Sequence, residues 1–251
     1  MALLRIPLIL LLVSTFLTQA EVLDLNQYVL QAVASMPEGC GYEASQRAVD
    51  RLAASVSVKD GRIHQNLNAS KASFCSGATY LLFLRVIDQL QKNKTIQLSE
   101  KQLARFADID VDDGEEIFGR WNANGPGTAK LFAELGCGAN FTLYEHAEPG
   151  DFMKIWWTTA IGGKERGHLV VYLGHTKTSV KFWSSNQPAG YGIKTVPRSR
   201  IKHTLFSRLT RHDHFAKSLN LSKKNQFLAD MLRKDFTWDQ VVKQCQVRST
   251  P

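Results

Sequence analysis

Apolar residues recur at helical spacing through the first third of the chain and at strand spacing further on. Residues 23–36 carry a helical stripe that stops at Pro37 and the turn Gly39-Cys40-Gly41. Ala44, Ala48, Leu52 and Ala53 mark a second helix over residues 43–56; Asp60-Gly61 breaks the pattern, and residues 62–72 read as polar loop. Residues 78–87 are apolar on every side except Thr79, Tyr80 and Arg85. Such a helix belongs in the middle of a domain, and Ser73 is its expected N-cap. Residues 99–107 and 128–135, the latter entered from Gly125-Pro126-Gly127, read as further helices. The character then changes. Residues 151–157, 168–173 and 179–184 are β-branched or aromatic runs with no helix between them, which predicts antiparallel neighbours. Beyond Pro197 the chain turns basic and reads as helical, at 225–232 and 238–244. Helices first and an antiparallel sheet later predict an α+β domain.

The N-terminus adds a destination. Arg5, the apolar residues 6–17 and the small positions Thr18-Gln19-Ala20 have the layout of a secretory signal peptide. The stretch is short for a membrane span and no later run is longer, so the expectation is cleavage after Ala20 and a secreted or periplasmic chain without a stable membrane anchor. The formal net charge is +8, of which Arg5 is one unit. That balance suits an anionic partner such as a cell-wall polymer. No helix-turn-helix, zinc finger or aromatic-basic stacking motif points to nucleic acid. Four cysteines, Cys40, Cys75, Cys137 and Cys245, are too few for a disulfide framework, and neither their pairing nor the oligomeric state is legible. Asn68, Asn93, Asn140 and Asn220 open glycosylation sequons, which matter only in a eukaryotic source.

Cys75 is the candidate nucleophile. It opens the central helix, where free backbone N–H groups and the positive dipole end favour the thiolate. The ordinary reading of a lone cysteine before an apolar helix is a buried, inert thiol. A cysteine hydrolase needs in addition a base and a group that orients the base. His168 follows Gly167 at the start of a strand-like run and is the candidate base; His64, His146, His175, His203, His212 and His214 fall in loops, turns or the basic tail. Asn186 closes the next run, where a carboxamide would fix the imidazole tautomer without adding charge. Ser184, on the same face of a regular strand, and Ser185 or Gln187, if a bulge intervenes, are alternatives for that third position.

Three motifs in order resemble the NlpC-type cell-wall cysteine peptidases of the papain-like superfamily. Phe74-Cys75-Ser76-Gly77-Ala78 is similar to their nucleophile motif at the tip of a central apolar helix. Glu148-Pro149-Gly150-Asp151-Phe152 resembles their Pro-Gly-Asp turn into a strand, and residues 167–174 resemble their histidine-bearing strand. The resemblance covers residues 73–192, about half the chain. It implies a papain-like fold, with Cys75 as nucleophile, His168 as base and Asn186 as the third group, no cofactor or metal, and cleavage of amide bonds in peptidoglycan stem peptides. The implied organisation is an N-terminal helical segment over 21–72, a catalytic core over 73–197 and a basic helical extension over 198–251. The chain departs from the pattern: Phe74 stands where Asp is usual, no Gly-Gly precedes the helix, and residues 92–145 read as an insertion. In the lipid-acyltransferase branch of the superfamily the histidine precedes the cysteine; the order here favours hydrolysis. An inert exported module that binds a wall polymer or a protein is the alternative, and a protein- or lipid-modifying acyl enzyme a third.

The acidic run Asp108 to Glu116 alternates carboxylates as a calcium loop does, but Asp113 occupies the position that needs Gly and Gly119 the one that needs Glu. It reads instead as an acidic loop before a helix. His212-Asp213-His214 is too short for a metal site alone, and Trp121, Trp156, Trp157 and Trp183 read as core before cleft.

Overall fold

The first element of the computed structural model, which describes residues 23–251, is helix α1 (Leu25–Ala34), started by the Asp24 carboxylate on the Asn26 N–H. The expected signal peptide and its cleavage point lie outside the described residues. A two-residue strand β1 (Gly39–Cys40) leads to α2 (Gln46–Ala54), capped by Ser45. Strands β2 (Val56–Lys59) and β3 (Arg62–Gln65) then form a hairpin about Asp60-Gly61, where the sequence suggested loop. Asp-Gly supplies the positive φ that a tight hairpin turn requires, +53° and +67° here. Helices α3 (Cys75–Lys92), α4 (Glu100–Ala107), α5 (Glu116–Asn122) and α6 (Gly127–Leu135) follow. The remaining elements are strands β4 (Gly138–Phe141), β5 (Phe152–Trp156), β6 (Gly167–His175), β7 (Ser179–Asn186), β8 (Gly190–Pro197) and β9 (His203–Leu209), then helices α7 (Gln226–Asp230) and α8 (Trp238–Gln244).

The architecture is α+β. Seven strands form one sheet in the order β1-β8-β7-β6-β5-β9-β4, with every ladder antiparallel. The sheet takes β1 from the N-terminal helical part of the chain and β9 from the basic part after Pro197. Strand β9 corrects the helical reading of that stretch. Both its faces are covered, Leu205 and Leu209 on one side and Phe206 on the other, so no polar alternation marks it.

Alternation across β5 shows how the sheet divides the interior. Phe152 joins the cluster built on α3, whereas Met153 and Ile155 join a second cluster with Phe141, Val170, Tyr172, Phe182 and Phe206 on the other face. Helix α3 is buried from Gly77 through Leu84 and again at Val86, Ile87 and Leu90, as its all-round apolar sequence predicts. Phe83 lies at its centre, stacked 4.9 Å from Trp121 and edge-on to Phe106, Phe152 and Phe215. Among the described residues no helix is long and apolar enough to cross a membrane. Asn68, Asn93 and Asn220 are exposed, whereas Asn140 is buried, its Nδ2 donating to the carbonyls of Ala129 and Cys245.

Candidate active site

The tip of α3 meets the sheet where β6 begins. Phe74, not Ser73, is the N-cap, and it has no side-chain oxygen to offer, so the first turn of α3 keeps its backbone donors uncapped. The Ser73 carbonyl is held by the Glu43 N–H at 3.2 Å and the Ser185 hydroxyl at 2.8 Å, which ties the approach to α3 to both β7 and the segment after β1. Small residues let the tip seat closely: a Cβ at Gly77 would stand 3.0 Å from the Phe74 ring and 3.1 Å from Leu52.

Cys75 is half-buried there. Burial alone would raise its pKa, but a hydrogen bond and charge from His168, the Leu169 N–H and the more distant Lys154 ammonium together lower it from 9.0 to about 6. The other buried thiols behave oppositely. Burial pushes Cys245 up to about 12 and Cys137 higher still. All four cysteines are unpaired.

Asn186 sets the histidine. Its Nδ2 donates to the carbonyls of Ser184 at 3.0 Å and Gly192 at 2.8 Å, so Oδ1 is the atom left to face His168 Nε2 at 3.2 Å. An oxygen in that position accepts, which puts a proton on Nε2. Two of the three alternatives are engaged elsewhere, Ser184 Oγ donating to the Leu169 carbonyl and Ser185 Oγ to that of Ser73, while Gln187 borders the cleft. Phe182 and Trp157 flank the imidazole at 5.7 and 6.4 Å between ring centroids. The structure thus brings Cys75, His168 and Asn186 into one cluster at the tip of α3.

Tyr42 belongs to the same cluster, and sequence reasoning missed it. Burial, with a hydrogen bond and negative charge from Cys75, holds its phenol well above the usual tyrosine range. The phenol therefore keeps its proton beside the sulfur. Tyr42 arrives through three consecutive residues at positive φ, Gly39, Cys40 and Gly41, and pairs with Ser73 in a parallel bridge. Gly190 permits the approach from β8, since a Cβ there would sit 2.1 Å from the Gly39 carbonyl oxygen. The glycine-rich turn was a visible signal of close backbone approach, but its partner was not.

Glu165 is the second omission. Its side chain is 3 % exposed and accepts from Lys154 Nζ at 2.7 Å, Trp156 Nε1 at 3.0 Å and the N–H groups of Gly125 and Gly162 at 2.8 and 3.0 Å. Burial opposes its charge, and Lys154 with these donors outweighs burial, keeping the carboxyl below its ordinary range. Glu165 thereby ties the loop before α6 to β5 and braces one wall of the cleft.

That cleft has two lobes. The one beside Cys75 and Ser76 measures about 440 Å³ and is bounded by Asn122, Asn124, Lys154 and Glu165. The one beside His168 and Asn186 measures about 280 Å³. Trp157, Gly167 and Gln187 border both.

Three carboxylates of the acidic run are used internally: Glu116 pairs with Arg105, Glu115 with Lys224, and Asp113 accepts from Asn122. Among the described residues no group of three or more histidines, cysteines or carboxylates is placed to hold a metal ion.

No family model, curated protein or solved structure matches the chain. The functional reading therefore rests on the geometry of the cleft.

Proposed function

We propose that the protein is a cysteine hydrolase that cleaves amide bonds, working as papain-like enzymes do and related in logic to the NlpC-type peptidases that its motifs resemble. The observation that carries this is the Cys75–His168–Asn186 cluster, in which Asn186 holds the imidazole at 3.2 Å and the imidazole draws the Cys75 pKa down to about 6, while the buried Cys137 and Cys245 are pushed up. A helix-tip thiolate hydrogen-bonded to an imidazole that a carboxamide orients is an activated nucleophile with its general acid in place.

The chemistry follows from those positions. The Cys75 thiolate attacks the amide carbonyl carbon, forming the C–S bond while the carbonyl electron pair moves to oxygen. The Cys75 N–H at the uncapped helix start and the Tyr42 O–H stabilise that oxyanion. Collapse breaks the C–N bond as the His168 imidazolium gives its proton to the departing nitrogen, leaving a thioester and a neutral imidazole. His168 then takes a proton from water as the hydroxyl adds to the thioester carbonyl. Breaking the C–S bond releases the carboxylic product and restores the thiolate–imidazolium pair.

Peptidoglycan stem peptides are the substrate class this reading favours, because the motif resemblance and the basic charge point to an anionic wall polymer, and the N-terminal signal pattern to a secreted or periplasmic site. The test compares wild-type protein with Cys75→Ala on purified wall fragments, following new amino groups. Activity that falls by on the order of 10³-fold or more in the variant supports the proposal. Equal release by both proteins overturns it, and no release by either replaces the wall substrate or leaves an inert binding module.

A further inference from the structure

The proton path assigns the two lobes of the cleft. The departing nitrogen has to lie within hydrogen-bond reach of His168, so the amine half of the substrate occupies the lobe that His168 and Asn186 border. The acyl half lies over Cys75 and Ser76 in the other.

The amine-side lobe has an unusual lining. Tyr42, Trp157, Phe182 and Val196 give it apolar walls, and its charged residues are Lys194 and Arg200. No carboxylate borders it. Both cations are exposed, and among the described residues neither forms an ion pair. Arg200 instead places its guanidinium 5.9 Å from the Trp157 ring centroid. Lys194 stands on β8 opposite Phe182, the residue whose ring meets His168 edge-on. Two cations without partners at the rim of an aromatic lobe are arranged to receive an anion carried on a short apolar stem. The acyl-side lobe differs: it carries the carboxylate of Glu165, which already pairs Lys154, and one cation without an ion pair among the described residues, Arg166.

We propose that Lys194 and Arg200 form a carboxylate-binding subsite for the amine half of the substrate, so that the enzyme selects amide bonds whose leaving amine carries a carboxylate. This rests on the hydrolase reading given above and names the specificity of that same site.

Two thiol reagents test it without a known substrate. N-bromoacetylglycine carries a carboxylate, and N-bromoacetylglycinamide is its neutral counterpart. Both alkylate a thiolate with loss of bromide. The ratio of their rate constants at Cys75, measured near pH 7 and low ionic strength, reads the subsite. The expected result is a ratio that favours the acid in wild-type protein and falls about fivefold in Lys194→Gln/Arg200→Gln. The control Lys101→Gln/Lys243→Gln removes the same charge from residues that line neither lobe, and it should keep the wild-type ratio. An unchanged ratio in the first variant, or an equal fall in the control, overturns the subsite while leaving the nucleophile intact. Wild-type Cys75 that alkylates with the neutral reagent no faster than free cysteine overturns the hydrolase reading itself, and the subsite with it.

Discussion

A single thiol is inert or nucleophilic according to what replaces the water it loses. Cys137 and Cys245 lose water to apolar neighbours and stay protonated; Cys75 exchanges it for an imidazole, a backbone N–H and a phenol. Alkylation of Cys75 by iodoacetamide is therefore expected to rise with a midpoint near pH 6, as followed by peptide mass spectrometry. The folded value lies below the unfolded 9.0, so the thiolate stabilises the fold fully above that unfolded value, and the contribution is lost as pH falls through about 6. In His168→Ala the midpoint moves up, toward the ordinary thiol value. Tyr42→Phe keeps the ring but removes the donor, and kcat on a cleaved amide is expected to fall about 10²-fold with little change in KM. An unchanged kcat would remove Tyr42 from the oxyanion site.

At the scale of elements, α3 both carries the nucleophile and centres the core. Its tip needs Ser76, Gly77 and Ala78 for close packing, and its body needs Tyr80 to Leu84 for burial. Phe83 contacts aromatic rings from α4, α5, β5 and the segment around Phe215. Phe83→Ala is expected to destabilise the protein by about 3–5 kcal/mol, read as a lower denaturant midpoint with an unchanged m value. Strands β6 and β7 contribute differently. Their ends place His168 and Asn186 on neighbouring strands, so the hydrogen bond between them depends on ladder register.

Across the whole molecule, buried ion pairs join parts of the chain far apart in sequence. Asp151, fully buried at the start of β5, accepts from Arg208 Nε and Nη2 at 2.8 Å each and from Asn26 Nδ2 at 2.9 Å. That cluster ties α1, β5 and β9 together. Arg208→Met leaves the Asp151 charge without its cation and is expected to cost about 3–5 kcal/mol, measured by chemical denaturation. Adding Asp151→Asn should recover part of the loss, because the uncompensated charge goes with it.

How much of this was legible beforehand depended on the range of the interaction. Helices α1, α3 and α6, strands β5 to β7 and the candidates Cys75, His168 and Asn186 were visible because their signals are local: period, punctuation, a thiol at a helix start. Strands β4, β8 and β9 were not, since β9 is covered on both faces and β8 holds its place partly through the Gly190–Gly39 contact. Only tertiary structure set Asn186 against His168 and turned the Ser184 and Ser185 hydroxyls to backbone carbonyls. It alone brought Tyr42 to the sulfur and set Lys194 and Arg200 in the lobe that His168 borders. Local patterns encode what a segment becomes; which side chains meet is decided by packing between segments, and that carries no signature in either one alone.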